Sequence, residues 1–340
     1  MGRAREAWIA YRLRWKRRRL LWRAFRSRRA LSAVADRTAA IRPGDILAFV
    51  TVRNEILRLP HFFDHYRRLG VGHFLIVANG SDDGSRAFLQ AQPDVSLWIA
   101  GASYKAARFG LDWLTWLMIL HGHGHWCLTL DADEILVYPH CDERPLQALT
   151  GWLDSEGLRS FPAMLLDMYP EGRVGAVPYR PGDDPFATLC WFDAGNYSSR
   201  VQEPLGMLRI QGGPRARAFF GDDPRRAPTL NKVPLVKWDR RYVYVNSTHA
   251  LLPRGLNKVY ATDGGEAPSG VLLHSKFLNT VVARSREEMA RGEHFADAAA
   301  FAGYYGALIA DPVLWCEGSS RYLGWRHLEA KGLMSRGGWV

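Results

Sequence analysis

In the first half of the chain, hydrophobic positions alternate between continuous runs and a helical spacing. Ile46–Val52 is apolar except for Thr51, and such a run is typical of a strand buried on both faces of a parallel sheet. From Ile56 to Leu69 the apolar residues recur at the spacing of a helix. A second apolar run at residues 73–77 follows. This segment is therefore predicted to form a strand, a helix and a strand.

The same alternation continues up to residue 130. The pattern predicts a helix from residue 86, a strand at 95–99, a helix at 106–121 and a fourth strand at 126–130. Strands that alternate with helices pair in parallel through right-handed crossovers. The predicted fold class is therefore α/β and Rossmann-like, with a mostly parallel central sheet flanked by helices.

The second half of the chain is less regular. Residues 170–230 are rich in Gly, Pro and Asp, which predicts long loops, and residues 280–310 have a helical pattern. The remaining predicted elements are a helix at residues 145–156 and strands at residues 161–168, 233–238, 242–245 and 271–273.

Composition limits the class of protein. Hydrophobic residues make up 47% of the 340 positions, which indicates a globular chain rather than a disordered one. The four cysteines have no framework spacing, which favours a reducing compartment. No apolar stretch reaches the ~20 residues that a membrane-spanning helix needs, so no such helix is expected.

The net charge of +11 is concentrated at the N-terminus. Residues 1–29 contain the whole excess of Lys and Arg over Asp and Glu, and a helix is predicted there because no Gly or Pro follows Gly2. Trp8, Trp15 and Trp22 recur every seven residues. A basic helix with such a stripe can lie on an anionic membrane surface. The alternatives are packing on the protein's own body and a nucleic-acid-binding arm, although no specific nucleic acid is expected.

Polar clusters follow three of the predicted parallel strands, at residues 51–55, 79–83 and 131–134. Open parallel sheets bind ligands beyond the carboxyl ends of their strands. In the last cluster, Asp131 and Asp133 are two positions apart, so they point the same way if the strand continues. A divalent cation relieves the repulsion between two such carboxylates. A solvated turn is the alternative, and the His121–His125 segment is predicted to be a plain connecting loop.

These clusters carry a family resemblance. Val52-Arg53-Asn54-Glu55, Leu69-Gly70-Val71-Gly72-His73-Phe74, Asn79–Ser85 and Asp131–Glu134 resemble, in order and spacing, the motifs of a bacterial branch of glycosyltransferase family 2 type enzymes of GT-A fold. The resemblance implies a nucleotide-sugar donor, Mn²⁺ or Mg²⁺, and inverting transfer to a hydroxyl of a cell-surface glycan or lipid-linked acceptor. Ala78 stands where many members carry Asp, which leaves the base of the nucleotide open.

The resemblance also implies roles for individual residues. The metal ligands are Asp131, Asp133 and His274, with His249 as second choice and Glu134 acting through water. The nucleotide contacts are Thr51, Arg53, Glu55, Asp82, Arg108 and Asp131. The candidate general bases are Asp167 and Asp193, with the pair Asp222 and Asp223 as a third place. Lys232 and Arg217 are candidate contacts to the diphosphate or acceptor. Apart from the resemblance, residues 291–295 are a candidate lid over the site.

The same reasoning divides the chain into a basic tail at 1–41, a nucleotide-sugar-binding half at 42–150, an acceptor-binding and metal-completing half at 151–280, and a helical region at 281–340. The expected location is cytoplasmic, peripheral on the inner face of the cell membrane, in polysaccharide biosynthesis. Two other functions stay open, namely a nucleotidyltransferase on a similar sheet and a basic-armed nucleic-acid-binding protein.

Overall fold

Ten α-helices and fifteen strands form the part of the chain that the computed structural model describes, residues 2–260, 267–291 and 302–339. The helices are α1 Arg3–Ser27, α2 Leu59–Arg68, α3 Ser85–Ala91, α4 Leu111–His121, α5 Leu146–Ser155, α6 Pro185–Thr188, α7 Gly213–Phe219, α8 Val281–Arg291, α9 Ala302–Ile309 and α10 Trp325–Ala330. The strands are β1 Leu31–Ala35, β2 Ile46–Val52, β3 Val71–Ala78, β4 Val95–Ala100, β5 Trp126–Leu130, β6 Glu134–Val137, β7 Ser160–Asp167, β8 Trp191–Asp193, β9 Ser198–Gln202, β10 Met207–Gln211, β11 Asn231–Lys237, β12 Val243–Tyr244, β13 Leu251–Leu252, β14 Gly270–His274 and β15 Ser319–Arg321.

Nine of these strands form one sheet in the order β1-β4-β3-β2-β5-β11-β7-β14-β6. Strands β4, β3, β2 and β5 are mutually parallel, as are β7 and β14. Strand β11 is antiparallel to both β5 and β7, so these six strands point in one direction. Strands β1, β11 and β6 point the other way. The predicted mostly parallel α/β sheet is confirmed.

Alternate residues of β2 enter two different cores, because side chains along a strand point to opposite faces. Ala48 and Val50 pack with the apolar faces of α2, α3 and α5. Leu47 and Phe49 pack with α4 on the opposite face. The sheet is therefore buried on both sides, which is why β2 is a continuous apolar run.

Helix α1 lies against the body of the protein. Leu13, Leu20 and Ala24 are buried, and the first two join an apolar cluster that includes Met207 and Val243. The opposite side of α1 carries the predicted tryptophan stripe, which is exposed. The helix therefore combines the predicted packing on the body with an aromatic outer face. Within the described residues, no helix is both long and apolar enough to cross a membrane.

Three local features differ from the pattern-based prediction. Helix α4 begins at Leu111 rather than at residue 106, because Arg108, Phe109 and Gly110 have φ values of +53°, +58° and +77°, which break a right-handed helix. Strand β1 is an unpredicted edge strand that pairs antiparallel with β4. Of the candidate lid, only Arg291 lies within the described residues, at the end of α8, and residues 292–295 lie outside them.

Candidate active site

A cleft of about 790 Å³ lies at the carboxyl ends of the parallel strands. Strand β2 pairs in parallel with β3 on one side and β5 on the other, so the polar clusters that follow these strands are neighbours in space. Residues from β14, α7 and α8 close the other side of the cleft. The predicted nucleotide and metal residues that line it are Thr51, Arg53, Glu55, Arg108, Asp131, Asp133 and His274.

Three carboxylates meet at the floor of this cleft. Asp131, Asp133 and Glu134 each present an oxygen, and these atoms lie within 4.8 Å of one another. The Glu134 N–H donates to the Asp131 carbonyl oxygen at 3.1 Å, and the Asp131 N–H donates to the Glu134 carboxylate at 3.3 Å. This tight turn holds the acidic side chains together after β5 ends.

Lys232, on β11, is the cation nearest to this turn. Its ammonium donates to an Asp131 carboxylate oxygen at 3.0 Å and also to Glu134. Burial lowers the pKa of Lys232, but the charges on Asp131 and Glu134 outweigh burial and raise it above its usual value. Sequence reasoning named Lys232 as a ligand contact, and the structure places it within the acidic group.

The three carboxyl groups of this turn crowd one another. Burial raises the pKa of Glu134 to about 8 despite Lys232, and the charges on Asp131 and Asp133 add to the increase. Glu134 therefore holds its proton more tightly than an ordinary carboxyl, and a divalent cation beside these side chains would relieve their repulsion. Carboxylate oxygens are the ligands that Mg²⁺ and Mn²⁺ prefer, so the residues present fit the predicted metal.

His274 lies beside the acidic turn at the end of β14. Its Nε2 is 3.1 Å from the Asp133 carboxylate, and its Nδ1 is 2.6 Å from Asp167. Burial lowers the pKa of His274, but Asp133 and Asp167 outweigh burial and raise it. An imidazole held at one nitrogen by a carboxylate and directed to a metal by the other is common in metal sites. The position of His274 fits the predicted ligand role.

Asp167, a predicted general base, is buried and does not belong to the residues that line the cleft. One carboxylate oxygen faces His274, and the other accepts a hydrogen bond from Arg215 Nε at 2.6 Å. Burial raises the pKa of Asp167, but Arg215 and His274 outweigh it and lower the pKa to about 2. The geometry therefore favours a role in orienting His274.

Asp193, the other predicted base, lies on β8, whose partner is β15 rather than a strand of the large sheet. Its carboxylate accepts hydrogen bonds from Arg217 at 2.9 Å and from the Tyr169 hydroxyl at 2.5 Å. Neither Asp193 nor Arg217 lines the cleft. The structure brings these two residues to each other and not to the acidic turn.

Thr51 and Arg108 mark the end of the cleft nearest β2 and β3. The Thr51 hydroxyl is buried, with no hydrogen-bond partner among the described residues. Arg108 donates to Asp112 at 2.7 Å and to the Tyr244 carbonyl oxygen at 2.8 Å. The other Asp112 oxygen accepts two hydrogen bonds from Arg23 of α1, both at 3.1 Å. Helix α1 thus helps to hold Arg108 at the cleft.

Arg53 and Glu55, predicted to contact the nucleotide, are both in ion pairs. Arg53 lies 2.8 Å from Glu287 of α8. The Glu55 carboxylate lies between Arg58 at 3.0 Å and Arg284 at 2.7 Å. These pairs connect the turn after β2 to α8, so they form the wall of the cleft.

The remaining predicted residues are placed as follows. Asp82 is exposed and, like Asp222 and Asp223, does not line the cleft. His249 does line it, and its Nδ1 lies 2.5 Å from the Asn231 carbonyl oxygen. His121 is the last residue of α4, and residues 122–125 connect this helix to β5.

Sequence reasoning missed five basic residues of the cleft: Arg58, Lys105, Arg215, Lys276 and Arg284. One of them carried a signal, because Lys276 follows His274 by two positions and would share its face if β14 continued. Arg58 immediately precedes α2 and Arg284 lies on α8, both in segments with no motif. Arg215 lies on the short helix α7, where it follows Gly213-Pro214 in a loop-rich region. Their place in the cleft depends on tertiary packing.

Comparisons with known proteins give distant likenesses. No protein-family model and no curated protein matches the chain. The solved structures it resembles include mannosyltransferase PcManGT from Pyrobaculum calidifontis in complex with GDP-Man and Mn²⁺, at 16% identity over 92% of this chain and 82% of that one, with a TM-score of 0.33. HddC from Yersinia pseudotuberculosis matches at 7% identity over 72% and 99%, with a TM-score of 0.31. A 4-diphosphocytidyl-2C-methyl-D-erythritol synthase matches at 17% identity over 40% and 68%, with a TM-score of 0.25. Such low TM-scores carry no conclusion about function, which has to be inferred from the cleft.

Proposed function

We propose that this protein is a metal-dependent glycosyltransferase that moves a sugar from a nucleotide-sugar donor to a hydroxyl of a glycan or lipid-linked acceptor. The observation that carries the proposal is the acidic turn, residues 131–134, in one cleft with the polar ends of β2 and β3. A nucleoside binds at the ends of such strands, and a diphosphate binds a cation held by carboxylates. The cleft volume suits a ligand of this size.

In this proposal, Asp131, Asp133 and His274 hold Mn²⁺ or Mg²⁺, with Glu134 and Lys232 behind them. When bound, the cation neutralises the charge that develops on the leaving nucleoside diphosphate. Asp167 keeps the Nδ1 of His274 occupied, so that Nε2 is directed toward the metal ligands. Each of these residues has a contact in the structure that suits its role.

The nucleoside lies in this proposal at the opposite end of the cleft, near Thr51, Arg53 and Arg108. The Thr51 hydroxyl has no hydrogen-bond partner among the described residues, and we assign it a contact with the nucleoside. Arg53 and Glu55 are both already in ion pairs with α8. In this proposal they contribute to nucleotide binding by forming the wall of the cleft. Asp82 is exposed on the adjacent turn and is assigned a contact with the nucleotide only through the family resemblance.

Inverting transfer stays a prediction that follows from the resemblance. It needs a carboxylate near the acceptor hydroxyl. Asp167 and Asp193 are both engaged by basic side chains, so we assign neither of them to proton removal. Asp167 is instead a positioning residue for His274.

A nucleotidyltransferase is the main alternative, because it would use the same sheet and metal. It would need a Gly-rich loop bearing free basic residues after the first strand. The turn after β2 is Arg53-Asn54-Glu55, and its arginine is paired with Glu287. This turn is the specific observation that favours glycosyl transfer.

The two reactions release different products, which gives a direct test. The purified full chain is incubated with Mn²⁺, a set of nucleotide sugars and glycan or lipid-phosphate acceptors, and with nucleoside triphosphates and sugar phosphates in parallel. We expect a nucleoside diphosphate and a glycosylated acceptor in the first set. Pyrophosphate release in the second set, with no sugar transfer in the first, would establish the alternative reaction.

We further propose that the outer face of α1 binds an anionic membrane surface. Trp8, Trp15 and Trp22 are 58%, 53% and 58% exposed, although they are large aromatic residues. Leu13 and Leu20 face the body, and a two-residue step on a helix turns by about 200°, so Trp15 and Trp22 point away from it. Exposed arginines flank the aromatic stripe: Arg12, Arg18, Arg19 and Arg26.

Tryptophans with flanking arginines match the chemistry of an anionic lipid surface, where the rings enter the headgroup region and the cations meet lipid charge. This would place the cleft at the cytoplasmic face of the cell membrane, beside a lipid-linked acceptor. Flotation with vesicles that contain anionic lipid tests it. The full chain should float, and the variant Trp8→Ala/Trp15→Ala/Trp22→Ala should float much less. Equal flotation would contradict the proposal.

The division of the chain at residues 42–150 and 151–280 follows from this function. The first range supplies the nucleoside end of the cleft and the carboxylates, and the second supplies β14 and α7. Both ranges contribute strands to one sheet, so we propose them as functional halves of a single folding unit.

A further inference from the structure

The side of the cleft formed by α7, α8 and the segment after β14 is rich in positive charge. Arg58 and Arg284 share a single carboxylate, that of Glu55. Arg215 and Lys276 line the same region of the cleft. Because the acidic turn is negative and this side is positive, the cleft has two electrostatic poles.

Arg215 is 6% exposed, so its guanidinium must find its partners inside the protein or in the cleft. Its Nε donates to Asp167 at 2.6 Å. Its Nη2 is buried, and no acceptor for it exists among the residues that the structure describes. An unsatisfied buried donor on a charged group is destabilising, which favours a ligand that supplies the acceptor.

Lys276 is half-buried and follows His274 by two positions. Over residues 2–260, 267–291 and 302–339 it forms no hydrogen bond and no ion pair. The charged groups that act on its ammonium are the cations Arg215 and Arg58 and the carboxylates Asp133 and Asp167. Both carboxylates already face His274, so an anion bound here would add an acceptor for the Lys276 ammonium and for the Nη2 of Arg215.

We propose that Lys276 and the Nη2 of Arg215 form a subsite for an oxyanion, a phosphate or carboxylate group of the substrate. Asp167 accepts a hydrogen bond from Nε of the Arg215 guanidinium, which leaves Nη2 to the ligand. The subsite lies on the β14 side of the acidic turn, away from Thr51. It deepens the proposed glycosyl transfer, and its importance for the reaction rests on that function, but the binding of the anion itself does not.

Two sources can supply this oxyanion. One is the diphosphate of the donor, reaching past the metal ligands. The other is an anionic group elsewhere, on the acceptor or on the transferred sugar. The chemistry at Lys276 is the same in both cases, since an ammonium and a guanidinium both form charge-assisted hydrogen bonds to phosphate or carboxylate oxygens.

Inorganic phosphate is the probe, titrated calorimetrically into the full chain without metal or sugar. We expect the native protein to bind phosphate measurably. In Lys276→Gln the phosphate affinity should fall by roughly tenfold or more, as for the loss of one charge-assisted hydrogen bond. Lys331→Gln removes an exposed lysine outside the cleft and should bind phosphate as the native protein does. Arg215→Lys keeps the charge but loses Nη2 and should also weaken binding.

Repeating the titration with a saturating nucleoside diphosphate and Mn²⁺ identifies the source. Loss of phosphate binding assigns the subsite to the donor diphosphate, and retained binding assigns it to an anionic acceptor or sugar. Equal phosphate affinity in the native protein and Lys276→Gln, with both folded by circular dichroism, would overturn the subsite. Because no transfer is measured, phosphate binding without glycosyltransferase activity would reject the proposed function and leave the subsite standing.

Discussion

Asp167 and His274 occupy registered positions on the parallel strands β7 and β14, and the Asp167 carboxylate lies 2.6 Å from His274 Nδ1. This pairing holds the imidazole so that Nε2 faces Asp133. An outer carboxylate that fixes a ligating histidine is a recurrent feature of metal sites, and it tunes affinity without touching the metal.

Replacing Asp167 by Asn should therefore weaken metal binding. The isosteric amide keeps an acceptor for Nδ1 but loses the charge, so we expect Mn²⁺ affinity to fall roughly 10–100-fold, measured by calorimetric titration. Asp193→Asn is the matched control, because it also removes the charge of a buried carboxylate paired with an arginine. Mn²⁺ affinity that falls equally in both variants, or in neither, would contradict the role of Asp167.

Lys232→Met tests the charge balance of the acidic turn. Removing the ammonium leaves the buried Glu134 without its ion-pair partner. Breaking one side of a buried pair costs about 3–5 kcal/mol, so the free energy of unfolding in urea should fall by that order without metal. Mn²⁺ should restore more stability to the variant than it adds to the native protein. A variant as stable as the native protein without metal would show that Lys232 does not balance this group.

Gly110→Ala should disturb the turn that presents Arg108. Gly110 has φ +77°, and a Cβ atom there would lie 2.5 Å from Thr51 Oγ1. Strain and steric overlap together should cost about 1–3 kcal/mol and weaken nucleotide binding. Gly101→Ala is the control, since nothing lies within 4 Å of a Cβ there, and it should unfold like the native protein. Equal unfolding midpoints for the two variants would contradict this account.

Replacing a side chain by alanine should affect stability differently on the two faces of α1. Leu13 is 7% exposed, and a buried Leu→Ala change typically costs 2–5 kcal/mol. Trp15→Ala, on the exposed face, should change stability by only about 0.5 kcal/mol while reducing vesicle binding. Chemical unfolding of both variants, beside flotation of Trp15→Ala, measures this. A large loss of stability in Trp15→Ala would mean that the stripe packs on the protein.

Stability should decrease as the pH falls below about 6.5, in part because of His65. Burial lowers the pKa of His65 to about 4, and its Nε2 lies 3.1 Å from the Leu136 carbonyl oxygen. Between the unfolded pKa near 6.5 and this value, the unfolded chain binds a proton that the folded chain does not, so unfolding is favoured as pH falls.

His65→Gln keeps a donor for the Leu136 carbonyl and removes the titration. Its free energy of unfolding, measured between pH 7 and pH 4, should fall less steeply than that of the native protein. His123→Gln, in an exposed loop, should show the same decrease in the free energy of unfolding with falling pH as the native protein. If His65→Gln also shows this decrease, His65 does not contribute to the acid sensitivity.

The first half of the fold could be predicted because its information is local. A run such as Ile46–Val52 is apolar since both faces of β2 are buried, and the parallel direction of β2, β3 and β5 follows from the helices between them. That shared direction places residues 51–55 and 131–134 at the same edge of the sheet, and the structure shows in addition that β5 lies beside β2. Thus the position of the cleft and its carboxylates was accessible from the sequence.

The pairings between distant segments were not accessible. Lys232 reaches Asp131 because β11 inserts between β5 and β7, and no local pattern contains that insertion. For the same reason Asp167 and Asp193 looked equivalent in sequence, each at the end of an apolar run. Only the packing shows that Asp167 contacts His274. Asp193 instead lies on a separate small sheet, where it pairs with Arg217 of α7.

The central claim is that a cation held at residues 131–134 binds the diphosphate of a nucleotide sugar. Thermal unfolding of the native protein and Asp133→Ala, with a panel of nucleotide sugars, each with and without Mn²⁺, tests it most directly, since a bound ligand raises the melting temperature by mass action. We expect at least one nucleotide sugar to stabilise the native protein with Mn²⁺ and not without it, and Asp133→Ala to lose the effect. Stabilisation that needs no metal and persists in Asp133→Ala would contradict the claim.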